Sequence, residues 1–448
     1  YSSRNMVPMS TLDEGGERKE MDRFAIKGHI LWSDASGRLN IRRDSYLLCG
    51  EDGCCAGVEA RLPGSWSEVS VADHSGRLII PGLVDLHLHA PQYGFCGTGM
   101  DLELLEWLET QVFPEEARYQ DLGYAREAYE CFARRLERRG TTRGCIFASL
   151  HVPATELLME ILEKTGLEVL VGKVSMDRNC PDYLREESPE TAERDVRQWL
   201  ERTQGRFQRV RPILTPRFIP SCSDRLMEGL GRIQRETVLS VQSHLSENPG
   251  EVAWVKELCP WAETYGDAYD RFGLLGGPGC RTIMAHCVYS GEQEQQLMKE
   301  RGVWIAHCPS SNTNLSSGIA PVREFLDRGL KVGLGSDVSG GSSESMFRVL
   351  TEAIQVSKLY WRLVDPEKKP LIYEEALAMA TRGGGSLFGK VGSFEPGYQL
   401  DALVLDDTDL NTPAELDERQ RLERICYLGD ERQIAAKVVG GEWVLGTE

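Results

Sequence analysis

Eight histidines occur in this 448-residue chain, and five of them stand near the ends of apolar, β-branched runs of strand length. His87 and His89 close LVDLHLH (83–89), while His244 lies in VLSVQSHLSE (238–247), His286 in RTIMAHCVY (281–289) and His307 in GVWIAHCP (302–309). Asp337 closes KVGLGSD (331–337) in the same manner. Side chains two apart on a strand point the same way, so His87 and His89 face one side together. Imidazoles converging with a carboxylate suit a borderline divalent cation, zinc above all. The ligand set this spacing supports is His87, His89, His244 and Asp337. A His-X-His pair alone is more often structural. Joined to a strand-end His and a strand-end Asp, it points to a metal centre.

Glu247 follows His244 by three residues, which places a carboxylate just beyond the proposed metal, where it can exchange protons with water and substrate. Zinc lowers the pKa of a bound water from about 15.7 to about 7. At about 1.36 kcal/mol per unit, that removes roughly 12 kcal/mol of deprotonation cost, the scale needed for hydroxide to attack an unactivated C=N carbon. The remaining histidines, His29, His74 and His151, read as surface or satisfied core residues.

The elements that must position these groups alternate along the chain. Eight buried-looking strands (83–89, 141–148, 167–176, 210–218, 238–247, 281–289, 302–309, 331–337) are interleaved with amphipathic stretches such as 155–166, 195–205, 291–302 and 322–330. That alternation is what a (β/α)8 TIM barrel requires, and the span from His87 to Asp337 is about 250 residues, the usual size of one. In such barrels chemistry sits at the C-terminal ends of the strands, where the histidines fall. A doubly wound open sheet is the competing arrangement. Both ends of the chain carry short β-like runs, 24–33, 45–50 and 77–82 at one end, 401–407 and 434–446 at the other. Gly440-Gly441 between two apolar runs signals a hairpin. The expected organisation is a mobile tail (1–21), a small β-sandwich domain built from both termini (22–80 and 391–448), and a barrel over 81–390.

Composition narrows the function. The net charge of −18, from 51 basic and 69 acidic residues, repels phosphates and anionic lipid, so neither a nucleic-acid nor a membrane partner is expected. No apolar run approaches the roughly 18–20 residues that span a bilayer. Thirteen cysteines without regular spacing, and without a CxxC, read as reduced thiols. Residues 1–20 lack the apolar core of a secretory signal, and a cytosolic location is expected.

Four stretches resemble the metal-site signatures of the amidohydrolase superfamily: PGLVDLHLH (81–89), SHLSEN (243–248), AHCPSSN (306–312) and LGSD (334–337). Longer ones are similar to its guanine deaminases: HAPQYGFCGTGMDLELLEWLETQVFPEE (89–116), VGKVSMD (171–177), TPRFIPSCS (215–223), MAHCVYS (284–290), GLGSDVSGG (333–341) and YLGDERQIAAKVVGGEWV (427–444). The likeness covers nearly everything after about residue 22. It implies a zinc-dependent hydrolase of purine catabolism that converts guanine to xanthine and ammonia, working as a cytosolic homodimer. It implies His87, His89, His244 and Asp337 as zinc ligands, with Glu247 and Asp337 transferring protons as water adds to C2 of the base. His286 would contact substrate or water. Gln92 would read the purine edge, Arg217 the carbonyl, and Phe218 would pack on the ring. Ala90 and Pro91 would line the pocket through backbone, and His89 and His244 would border substrate as well as metal. Binuclear members carry a carboxylated lysine late in the fourth strand; TPRF (215–218) has Arg217 there, which implies one metal. Pro91 stands where such proteins usually have Ser, and Cys287 where they have Gly.

The residue types fit these roles independently, since Phe218 offers a flat apolar face and Arg217 five donors for a carbonyl acceptor. Trp107 and Phe113 are expected to pack a capping helix, and His307 to be a structural neighbour of the site. Another superfamily aminohydrolase, acting on 8-oxoguanine, a triazine or an adenosine derivative, would use the same ligands. A cytidine-deaminase type needs HxE with PCxxC, which is missing. A non-catalytic barrel would have no reason to keep all four ligands.

Overall fold

A computed structural model describes residues 21–446, so the tail expected over 1–21 lies almost wholly outside the described residues. The N-terminal segment supplies four strands, β1 (Phe24–Ser33), β2 (Leu39–Cys49), β3 (Cys55–Glu59) and β4 (Ser70–Pro81). Eight parallel strands follow: β5 (Leu83–His89), β6 (Thr141–Phe147), β7 (Glu168–Gly172), β8 (Val210–Pro212), β9 (Val241–Leu245), β10 (Thr282–His286), β11 (Trp304–His307) and β12 (Lys331–Leu334). Three C-terminal strands, β13 (Ala402–Leu405), β14 (Ile434–Val439) and β15 (Glu442–Leu445), return to the first sheet.

The eight parallel strands pair as two sets of four, β5 to β8 and β9 to β12. Backbone hydrogen bonds join the sets at both seams. Leu214 N–H donates to Ser240 O and Gln242 N–H to Leu214 O, each at 2.9 Å. At the other seam Asp337 N–H donates to His87 O and His89 N–H to Val338 O, each at 2.8 Å. The ring is therefore closed, and the second seam is made by the backbones of three of the expected metal ligands. An open sheet would leave the first and last strands apart. The barrel interior is filled by Leu86, Cys145, Ile213, Ile283, Ala285 and Ala306, which alternate along the strands with residues facing the surrounding helices. Those helices bury one stripe each: in Asp224–Thr237, Leu226, Leu230 and Ile233 are buried, and Ser223 caps the start by accepting from Leu226 N–H. That stripe is the i, i+4, i+7 pattern of an amphipathic helix.

Two of the expected strands are broken. The 167–176 run divides into β7 and a two-residue bridge, Val174–Ser175, and the 210–218 run into β8 and Thr215–Pro216. The two bridges pair with one another. Pro212 and Pro216 have no N–H to offer a ladder, so the strand cannot run unbroken.

The terminal sheet runs β15-β14-β13-β4-β1-β2-β3. Four positions separate β15 from β1, about 19 Å across a flat sheet. Yet the rings of Phe24 in β1 and Trp443 in β15 have centroids 5.4 Å apart. The sheet thus curls on itself around Ile26, Ile30, Leu47, Ile79, Val404 and Val438, giving the sandwich-like unit expected from the two termini. Gly440 and Gly441 have φ of 58° and 86°. Two successive positive φ values make the tight hairpin turn whose twist matches its strands.

Candidate active site

The four metal-ligand candidates meet at the mouth of the barrel. His87 and His89 are 1% and 3% exposed and Asp337 is 5% exposed. His89 Nε2 lies 3.3 Å from His87 Nε2 and 3.2 Å from His244 Nε2. Asp337 Oδ1 is 3.2 Å from His87 Nε2 and 3.5 Å from His89 Nε2. A tetrahedral zinc with arms of about 2.05 Å has edges of about 3.3 Å. These four separations match that figure, so the chemistry and spacing of these residues fit a zinc ion. His244 Nδ1–H donates to the Arg217 carbonyl at 2.6 Å, which turns its Nε2 lone pair towards the other donors. Burial and the neighbouring His87 hold His89 and His244 neutral, with pKa values well below the ordinary imidazole range. Burial alone would raise Asp337, but the surrounding imidazoles, His87 first, overcome it and keep the carboxylate ionised. Neutral imidazoles beside an anionic carboxylate are the protonation states a cation requires.

His286 adjoins this set. Its Nδ1–H donates to Asn312 Oδ1 at 2.8 Å, while its Nε2 lies 3.4 Å from Glu247 Oε2 and 3.8 Å from Asp337 Oδ2. Glu247 Oε1 accepts from the Ser317 hydroxyl at 3.4 Å. Burial, reinforced by the charge of Asp337, pushes the Glu247 carboxyl well above the usual carboxylate range. The loop that carries it is fixed by Glu251, whose Oε2 accepts from Glu247 N–H at 2.9 Å and whose Oε1 accepts from the Tyr265 hydroxyl at 2.7 Å. The backbone at the mouth is strained. Ser246, His286, Cys287 and Asp337 have φ of 48°, 73°, 51° and 47°, a left-handed region costly to any residue with a Cβ.

One wall of the cavity is polar and tightly braced. Arg217, at the end of the fourth strand segment, makes a two-pronged ion pair with Glu116, at 2.6 and 3.1 Å. Gln92 Nε2 donates to the same Glu116 carboxylate at 2.9 Å. The guanidinium also lies 5.3 Å from the ring centre of Phe113. Phe218 lines the cavity beside Arg217, with Leu104, Trp107 and Leu315 completing an apolar side.

The profile of the Amidohydrolase family matches residues 78–444. A guanine deaminase of Homo sapiens is 41% identical over 445 residues, 94% of this chain and 96% of that protein. One from Dictyostelium discoideum is 37% identical over 440 residues, 93% of this chain and 97% of that protein. The crystal structure of guanine deaminase from C. acetobutylicum with guanine bound in its active site superposes with a TM-score of 0.91 at 45% identity, covering 94% of this chain and 100% of that one. The chain belongs to the amidohydrolase family, on its guanine deaminase branch.

Within this amidohydrolase, His89, Gln92, Arg217, Phe218, His244, Glu247, His286 and Asp337 all border one cavity, and His87 lies beneath them. Ala90 and Pro91 are buried in the turn Ala90–Phe95 but do not line that cavity; of this turn Gln92 does. Trp107, expected only to pack a helix, forms part of the cavity wall. Phe113 packs under Arg217, away from the cavity. His307 is fully buried with no partner at either ring nitrogen, and burial, with His286 nearby, lowers its pKa to about 3. Cys287 falls on left-handed backbone, a conformation that suits the glycine the resemblance implies there. Sequence reasoning missed Glu116. Its only signal was a carboxylate at the end of the similar stretch 89–116, far from every ligand in the chain.

Proposed function

We propose that this chain hydrolyses guanine to xanthine and ammonia, using one zinc ion held by His87, His89, His244 and Asp337. The observation that carries this reading is the junction, in one cavity, of closely gathered imidazole and carboxylate ligand atoms with the buried Arg217–Glu116–Gln92 wall. A divalent cation in that donor set would make a water molecule acidic enough to add to C2 of a purine. Arg217 donates to the purine carbonyl, Gln92 hydrogen-bonds its edge, and Phe218 covers the ring. Glu247 takes one proton from water and delivers it to N3 as the C2–O bond forms. Asp337 takes the second proton and passes it to the amino group, the C2–N bond breaks, and ammonia leaves with xanthine remaining. His286, its Nδ1–H tied to Asn312, presents an acceptor nitrogen that orients the Glu247 proton. The Arg217 side chain is engaged by Glu116 and not by the metal donors, which supports a single metal. We assign residues 81–390 to the catalytic barrel and 22–80 with 391–448 to the terminal domain. The family resemblance supports a cytosolic homodimer, and no helix among the described residues is long and apolar enough to cross a membrane.

The test is ammonia release from guanine, 8-oxoguanine, a triazine and adenosine by protein stripped of metal and then titrated with zinc. Guanine should be turned over fastest, with activity rising to a plateau at about one zinc per chain. Turnover of another base with none on guanine, or activity that ignores metal, would overturn the assignment.

A further inference from the structure

Glu116 is 2% exposed and touches neither the metal donors nor the cavity, yet its carboxylate binds the two residues that form the polar reading wall. One oxygen accepts from Arg217 and from Gln92 Nε2, and the other accepts from the second arm of the guanidinium at 2.6 Å. Two consequences follow from the chemistry of these groups. The first is orientational. Because Gln92 Nε2 faces a carboxylate, its amide cannot flip, and Ser339 N–H meets the Oε1 end at 3.4 Å. The second is electrostatic. Side chains of both Arg217 and Glu116 are 3% exposed, so the pair is desolvated and its net charge is zero. An unpaired buried guanidinium would draw an anion strongly; a paired one offers directed donors without a net positive field.

We propose that Glu116 is a positioning residue that sets specificity, making the pocket select a neutral purine carbonyl over an anionic one. This rests on the guanine deaminase reading and deepens it. Guanine is neutral near pH 7, whereas its product is the more acidic purine and carries negative charge in mildly alkaline solution. A wall neutralised by Glu116 therefore holds substrate and lets the ionised product go.

Glu116→Gln keeps the shape and unpairs Arg217. Guanine KM should rise by about tenfold or more while kcat changes by less than about threefold, a split that removal of ground-state reading produces. Inhibition by xanthine should tighten relative to wild type, and increasingly so as pH rises through xanthine ionisation. Glu116→Asp keeps the charge with a shorter reach, so KM should rise while the xanthine pH trend stays that of wild type. In wild-type protein loaded with zinc, xanthine inhibition should weaken as pH rises. A fall in kcat at unchanged KM in Glu116→Gln, identical xanthine behaviour of the two variants, or tightening with pH in wild type would each overturn the proposal. If Glu116→Gln fails to fold, the aspartate variant and the wild-type pH series still decide it. Absence of guanine turnover in the wild type would instead refute the parent reading.

Discussion

Replacing Arg143 by Met tests how the terminal sheet is fastened to the barrel that carries the site. Arg143 lies in β6 with its side chain 1% exposed, and it reaches across to Asp401, just before β13. Its guanidinium donates to Asp401 at 2.7 and 3.0 Å, to Gln399 at 2.8 Å, and to Glu168. Asp401 has no exposed side-chain surface, and beyond Arg143 its carboxylate accepts from Gly440 N–H at 2.8 Å. Methionine fills much of the space but leaves that carboxylate buried with one hydrogen bond. Removing one partner of a buried pair costs about 3–5 kcal/mol, because the other charge stays desolvated. Unfolding entropy of about 2.1 cal/mol/K per residue gives about 0.9 kcal/mol/K for 448 residues, so Tm should fall by about 3–5 °C. Scanning calorimetry of zinc-loaded protein reads this directly. The site is at the opposite end of the strands, so kcat on guanine should stay within about twofold of wild type. Adding Asp401→Asn to Arg143→Met removes the orphaned charge and should recover about half the loss or more. Additive losses from the two changes, or a Tm within about 1 °C of wild type for Arg143→Met, would refute this account of the fastening.

Two further outcomes are expected. Glu247→Gln should lower kcat by about 10^2- to 10^4-fold with zinc content and guanine affinity retained. Burial holds this carboxyl above its unfolded value of 4.5, so its ionisation favours the unfolded chain as pH rises past that value, and the neutral amide should raise Tm at pH 7. Near wild-type turnover, or a lower Tm, would sink the assignment. For His307 the sign runs the other way: burial drops its pKa from 6.5 to about 3. The unfolded chain takes up a proton below 6.5 that the folded chain refuses until about 3, so stability is lost as pH falls through that window. Comparing Tm against pH for wild type and His307→Leu should show a flatter acid limb in the variant; parallel curves would remove His307 as a cause.

What was legible in the sequence was what repeats locally. Histidines at strand ends, alternation of strand and helix, and the Gly440-Gly441 turn depend on neighbours within a few residues, and each appears where its local pattern placed it. The broken strands at 172–174 and 212–215 show the limit of reading apolar runs: in the second, Pro212 and Pro216 withhold donors a ladder needs, and the first, which has no proline of its own, breaks beside it. A tryptophan in an amphipathic stretch, such as Trp107, usually packs a helix; only the placing of that segment beside the metal-ligand candidates makes it a cavity wall. Glu116 and Arg143 were illegible for a stronger reason. Glu116 meets Arg217 across 101 residues, and Arg143 meets Asp401 across 258. No spacing rule in one sequence relates charges so far apart, and a charged residue by default is a solvated one.

Three of the four proposed metal ligands, His87, His89 and Asp337, sit on the seam where the barrel closes, and this bears on how metal binding and folding are linked. In small zinc modules the cation does the folding, because no preformed site exists without it. Here these three are already brought together by backbone hydrogen bonds from Asp337 to His87 and from His89 to Val338. Asp85 adds to the seam: its Oδ1 accepts from Ser336 N–H at 2.9 Å and from His87 N–H at 3.3 Å, so one carboxylate spans the first and last strands. It follows that closure of the ring, through backbone and Asp85, is what brings these three side chains together, and that changes along the seam should disturb their mutual geometry.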